Sequence, residues 1–271
     1  MADRPDIWIV VPCYNEAQRL QLEQFRGYVA RDPRVRFVFV NDGSRDDTGA
    51  VLRSLSAENP NRFELLDEAQ NRGKAAAVRV GMLHALSQGA RYAGYWDADL
   101  ATPLREIPRF VAALDGPPAH DICFGSRVRL LGRSIDRRPL RHYLGRLFAT
   151  VASLAVDLPV YDTQCGAKLF RVNEYTPLLF RDPFCVSWTF DVEIIARVQS
   201  LRADTRTAIY ELPLNEWRDV AGSKVRPSDF ARSLVEMLRI VGKYGRGGSK
   251  HPLRLPVKPA PSTVAADRAS N

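Results

Sequence analysis

The chain has 271 residues, 45% hydrophobic and 26% charged, an ordinary globular composition long enough for one large α/β domain or two small ones. A formal charge of +8 points to an anionic partner such as a nucleotide, a lipid phosphate, a membrane surface or a nucleic acid. Cys13, Cys123, Cys165 and Cys185 show no C-x-x-C pairing and the histidines no zinc spacing, which excludes a zinc-ribbon or disulfide-framework reading.

Ile7–Val11 reads as a buried strand closed by Pro12, and a polar helix is predicted from Glu16 to about Ala30. Val35–Val40 is a second strand ending in Asn41-Asp42-Gly43-Ser44, with Asp46 or Asp47 capping a helix that runs through about Ala57. Phe63–Leu66 is a third strand, and Gly73 opens an alanine-rich helix to about Ser87. Tyr92–Trp96 is a fourth strand, Pro103 starts a helix, and Ile122–Phe124 is a fifth strand. This alternation predicts a mostly parallel sheet flanked by helices.

The second half is less regular. A helix is expected from about Pro139 to Asp157, with Leu140, Leu144, Leu147, Val151, Leu154 and Leu158 on one stripe. Gly166–Arg171 is a candidate strand, Phe190–Leu201 a helix, Thr207–Leu212 a strand, and Pro227 opens a last helix ending near Gly242. The chain thus divides into 1–125, 126–244 and a basic, unpatterned tail at 245–271. The longest nearly apolar run, Leu147–Val156, is about half of the roughly 20 residues a spanning helix needs. With no apolar leader, a cytoplasmic protein is expected, able to lie on a membrane but not to cross it.

Polar clusters fall at four predicted strand ends: Pro12–Glu16, Asn41–Asp47, Asn71–Lys74 and Asp97–Asp99. Ligands bind at that edge of a parallel sheet. Asp97 and Asp99, two apart in an extended strand end, offer two carboxylates to one hard divalent cation, Mg²⁺ or Mn²⁺, which shares its shell with a diphosphate. Asn71-Arg72-Gly73-Lys74 places a cation at a helix start, a phosphate site, although the earlier glycine of a P-loop is missing. Between Arg127 and Arg146 seven arginines face one acid, Asp136.

The segments V-V-P-C-Y-N-E, V-N-D-G-S-R-D-D-T, N-R-G-K and D-A-D resemble those of family 2 glycosyltransferases of the GT-A fold. Gly125-Ser126-Arg127, D-T-Q-C-G-x-K-L-F from Asp162, W-x-F-D-x-E from Trp188 and Gly222-Ser223-Lys224 resemble its polyprenyl-phosphate branch, most closely the dolichyl-phosphate glucosyltransferases. The resemblance covers about Ile7 to Val241 and implies an inverting transfer of a hexose from a nucleotide-sugar to a polyprenyl phosphate. It implies that Pro12, Tyr14, Glu16, Asp42, Lys74 and Asp97 bind the donor, with Asp42 on the base. Asp97 and Asp99 would hold the metal, and Arg127, Arg137, Arg138 and Lys224 the acceptor phosphate. Asp99, Asp162 and Asp191 are the candidate catalytic carboxylates. Mannose synthases carry Gln where this chain has Ala101, which favours UDP-glucose as donor.

Two alternatives stay open on the residues: a family 2 enzyme with a hydroxyl acceptor, for which Asp162 or Asp191 is the base, and a non-catalytic basic module on a membrane. Nucleic acid is not expected as a partner, since no recognition motif accompanies the basic stretches. An anionic membrane surface is, through the 139–157 helix and the tail.

Overall fold

The computed structural model describes residues 5–136, 139–202, 204–220 and 227–245; of 139–147 and 227–231 it describes the backbone. Arg137, Arg138, Lys224 and the tail beyond Gly245 lie outside the described residues. Strands β1 (Ile7–Cys13), β2 (Val35–Asp42), β3 (Phe63–Glu68) and β4 (Tyr92–Trp96) alternate with α1 (Leu22–Arg31), α2 (Thr48–Glu58) and α3 (Lys74–Ser87). A 3₁₀ turn, Leu104–Glu106, leads into α4 (Ile107–Asp115) and β5 (Ile122–Ser126). Then come β6 (Ser134–Asp136), α5 (Pro139–Val156), β7 (Ala167–Arg171), α6 (Thr176–Arg181) and α7 (Phe190–Leu201). The turn α8 (Thr205–Ala208), β8 (Ile209–Pro213), β9 (Glu216–Arg218) and α9 (Pro227–Tyr244) complete the described chain.

The main sheet has the order β3-β2-β1-β4-β7-β5-β8, and β7 alone runs antiparallel to its neighbours. Strands β1, β4 and β5 are buried on both faces because helices cover both sides of the sheet. Ile7, Ile9, Val11, Phe37 and Phe39 enter one core with α1, α2 and α4; Trp8, Val10, Val38, Val40 and Tyr95 enter the other with α3 and α7. β6 and β9 form a separate two-stranded parallel ribbon that no pattern had suggested.

Four expectations are corrected. The first helix starts at Leu22, not Glu16, because 14–17 are tied to the next loop: Glu16 N–H donates to Thr48 Oγ1 at 2.8 Å and Asn15 N–H to Ser44 Oγ at 3.0 Å. Pro12 lies inside β1 rather than ending it, beyond Val10, the last residue that pairs with β4. The strand placed at Thr207–Leu212 begins at Ile209, after the α8 turn. Of the stripe expected on α5, the side chains of Leu140, Leu144 and Leu147 lie outside the described residues; Leu158 is buried and Val151 packs on the core, but Leu154 is 78% exposed, and Phe148, Ala149, Ala152 and Val156 are buried instead. Phe148, Ala152 and Val156 enter the core shared with α7 and α9, beside which α5 packs.

Candidate active site

The sheet order reverses between β1 and β4, and there the carboxyl ends of four parallel strands open one crevice. On the β1 side lies the loop carrying Tyr14 and Glu16, with Asn15 in the left-handed region at φ 51°. At the end of β2, buried Asp42 accepts hydrogen bonds from the Arg72 and Gly73 N–H groups, both at 2.8 Å. That strap joins β2 to the start of α3. It forces Gly43, at φ 61°, so close to the backbone that a β-carbon would meet Asn71 N at 2.4 Å.

β4 ends at Trp96, so Asp97 and Asp99 are brought together by a turn and not by strand alternation. Asp97 N–H donates to Gly166 O at 2.9 Å, Leu100 N–H to Asp97 O at 3.2 Å, and Ala101 N–H to Asp99 Oδ1 at 3.1 Å. Leu100 takes φ 52°, a conformation costing a branched side chain about 1–2 kcal/mol and characteristic of functional turns. Lys74 Nζ stands 2.5 Å from Asp97 Oδ1, and Arg19 Nη2 is 3.4 Å from Asp99 Oδ2. Partial burial, then the neighbouring Asp97 charge, hold the Asp99 carboxyl above the usual carboxylate range. Two hard oxygen donors whose charges repel fit a divalent cation. Among the described residues no cluster of three or more His, Cys, Asp or Glu surrounds them.

β7 enters the sheet from the crevice edge because it runs against β4, with Ala167 opposite Trp96. The segment before it, Asp162–Gly166, is thereby laid beside Asp97. Arg127, just after β5, grips Asp162 bidentately, Nε to Oδ2 at 2.7 Å and Nη2 to Oδ1 at 2.8 Å, with its guanidinium 5.4 Å from the Trp217 ring centre. Glu211 of β8 accepts the Tyr161 and Asp162 N–H groups, each at 2.8 Å. Beneath the crevice, fully buried Lys168 lies 2.7 Å from Asp191 Oδ1 and donates to the carbonyls of Thr163 and Cys165 at 3.0 and 2.7 Å. The Tyr95 hydroxyl also donates to Asp191; burial first, and Asp191 next, keep that phenol protonated.

The structure brings Lys74 to Asp97 and, through Arg19, Glu16 to Asp99; Asp42 stands at the end of β2, Pro12 and Tyr14 at the end of β1, Arg127 with Asp162 on the β7 side, and Asp191 beneath with Lys168. Sequence reasoning missed Arg19 and Tyr95, which no motif marks, and gave no role to Lys168 or Gly166, although both sit in the D-T-Q-C-G-x-K segment.

This is the arrangement of a GT-A glycosyltransferase. Residues 8–175 match the model of Glycosyl transferase family 2, and the chain belongs to that family. It is 32% identical over 251 residues to a dolichyl-phosphate beta-glucosyltransferase of Trichomonas vaginalis, covering 88% of this chain and 71% of that one. It is likewise 32% identical to the dolichyl-phosphate beta-glucosyltransferase of Drosophila melanogaster, over 82% and 70% of the two chains. Among solved structures the fold resembles glucosyl-3-phosphoglycerate synthase from Mycobacterium tuberculosis with Mn²⁺ and UDP-glucose, at 17% identity and TM-score 0.62 over 88% and 79% of the chains. It also resembles a mannosyltransferase from Pyrobaculum calidifontis with GDP-mannose and Mn²⁺, at 18% identity and TM-score 0.59 over 92% and 66%.

Proposed function

We propose that the protein moves a hexose, glucose by preference, from a nucleotide-sugar, UDP-glucose by preference, to the phosphate of a polyprenyl phosphate, with inversion and in a single displacement. The observation that carries this reading is the meeting of Asp97, Asp99 and Lys74 at the β1–β4 switch point. Carboxylates for a metal and a cation for a phosphate stand within one crevice, in a chain whose relatives are dolichyl-phosphate glucosyltransferases. Residues 1–244 act as one catalytic unit, with the donor on 1–125 and the acceptor on 126–244. Asp42, Tyr14, Pro12 and Glu16 line the nucleoside side; Asp42 keeps free lone pairs after its two backbone bonds.

Asp97 and Asp99 would hold Mg²⁺ or Mn²⁺, which supplies charge stabilisation for the departing diphosphate. Lys74 and Arg19 add cationic charge on the same side. A phosphate monoester with a second pKa of ~6 is largely dianionic at neutral pH and attacks without a general base. That fits Asp162 and Asp191, whose carboxylates are already committed to Arg127 and Lys168; they act by positioning the 162–168 segment against the donor. Arg127, Arg137, Arg138 and Lys224 gather the acceptor phosphate.

An acceptor of this kind requires contact with an anionic membrane surface on its cytoplasmic face. No helix among the described residues is long and apolar enough to cross a bilayer. α9 carries Leu234, Val235, Leu238 and Val241 exposed on one side, with Arg232, Arg239 and Lys243 along its edge, a pattern suited to lying in a headgroup layer.

The test is a donor and acceptor screen with Mg²⁺ or Mn²⁺, a panel of nucleotide-sugars and a short polyprenyl phosphate, reading nucleotide release. Release that depends on the lipid phosphate is expected. Turnover with a sugar hydroxyl and none with the lipid phosphate would replace this reading.

A further inference from the structure

A second concavity, of about 410 Å³, lies between the first turns of α3, the 183–187 segment and α9. Arg72, Arg79, Arg232 and Arg239 line it, against a wall that includes Val80 and Phe184. Among the described residues one acid faces it, Glu236, and that carboxylate is already consumed. Its oxygens accept from Ser187 N–H and Oγ, Trp188 N–H, and Thr189 N–H and Oγ1, at 2.9 to 3.3 Å. Burial pushes the Glu236 carboxyl up, but these donors outweigh it and hold it below the usual range, so it stays charged and bonded to the start of α7.

The four guanidiniums are unevenly matched. Arg72 pairs with Glu68, and Arg232 reaches Glu236 at 3.3 Å and Ser187 Oγ at 2.9 Å. Arg79 donates from Nη2 to the Arg181 carbonyl, but its Nε is buried with no hydrogen-bond partner among the described residues. Arg239 makes no ion pair among the described residues. Gathering like charges around one concave, partly apolar surface raises a strong positive potential there. Guanidinium is the group that matches phosphate oxygens two at a time. The apolar wall, and the exposed apolar side of α9 beside it, suit an alkyl chain attached to that phosphate.

The site is separate from the donor crevice, although one helix start serves both. Lys74 turns to Asp97, while Arg72 and Arg79 turn to the groove. We infer that this groove binds the phosphate of an alkyl phosphate or phospholipid, with Arg79 and Arg239 as its phosphate ligands and the Val80–Phe184 wall against the chain. The inference goes beyond glycosyl transfer; since the acceptor site proposed above would also take an alkyl phosphate, it is read from the difference between the wild type and a groove variant.

The experiment is calorimetric titration of the full chain with octyl phosphate, inorganic phosphate and octyl glucoside, the last two supplying the charge and the chain separately. The wild type is expected to bind octyl phosphate at least about tenfold more tightly than either. The double variant Arg79→Gln, Arg239→Gln should lose about tenfold or more of that affinity. A charge-matched control, Arg31→Gln, Arg206→Gln, whose two exposed arginines lie on α1 and α8, should bind like the wild type. Far-UV circular dichroism checks that each variant is folded, and Arg239→Gln alone serves if the double variant is not. Superimposable titrations for wild type and groove variant would overturn the inference. So would an equal affinity for inorganic phosphate, which would leave the apolar wall without a part.

Discussion

Gly166 lies directly against the carboxylate of Asp97: a β-carbon at position 166 would fall 1.8 Å from Asp97 Oδ2 and 2.1 Å from Cγ. The D-T-Q-C-G segment and the D-A-D turn are therefore one device, in which the absence of a side chain on β7's entry sets where a carboxylate on β4's exit can sit. Gly166→Ala should displace that carboxylate while leaving the sheet intact, since the obstructed atoms end a side chain. Turnover should fall by about 100-fold or more, with a stability loss of about 1–3 kcal/mol. Nucleotide release together with urea unfolding measures both; an alanine variant with wild-type turnover would disconnect Gly166 from the chemistry.

Asp99→Asn removes one of the two charges available to a divalent cation. The expected outcome is a turnover reduced by about 10²-fold or more in a protein of unchanged fold. The wild type should lose activity in EDTA and regain it with Mn²⁺ or Mg²⁺. Indifference of the wild type to EDTA would remove the metal from the reading.

Lys168 and Asp191 form a buried ion pair in which either charge alone is costly. Lys168→Met should destabilise the protein by about 3–5 kcal/mol by leaving Asp191 buried without its cation. Adding Asp191→Asn should return part of that loss, because the uncompensated charge disappears with it. Denaturant unfolding of the two single variants and the double variant gives the coupling; additive losses would mean that the pair does not act as a unit.

Glu236 crosses from α9 to hold the start of α7, the helix that carries Asp191. Its folded-state carboxyl lies below the ordinary glutamate value of 4.5, so its contribution is present above 4.5 and is lost as pH falls through the folded value. Glu236→Gln should cost about 1–3 kcal/mol at neutral pH, since the buried N–H donors lose a charged acceptor. The gap between wild type and variant should narrow as unfolding is measured at progressively lower pH below 4.5. A gap that stays constant down to strong acid would contradict the assignment.

Strand–helix alternation and the four polar clusters were legible in the chain itself, and with them the sheet edge where ligands bind. Parallel strands bring their carboxyl ends to one edge whatever their order, so a cluster at each predicted end is enough. Tyr92–Trp96 and Phe190–Leu201 could be read to the residue because apolar runs and polar punctuation bound them locally. The tertiary structure decided everything that depends on which element lies beside which. The first helix begins at Leu22 and not Glu16 because Thr48 and Ser44, some thirty residues on, take the N–H groups of Glu16 and Asn15. Arg127 with Asp162, Lys168 with Asp191, and Glu236 with the start of α7 are likewise partners across the fold. Periodicity reports which face of an element is buried; it carries no information about the element on the other side. Here the sheet order decides that, and the insertion of one antiparallel strand, β7, between β4 and β5 carries Asp162, Gly166 and Lys168 up to the D-A-D turn.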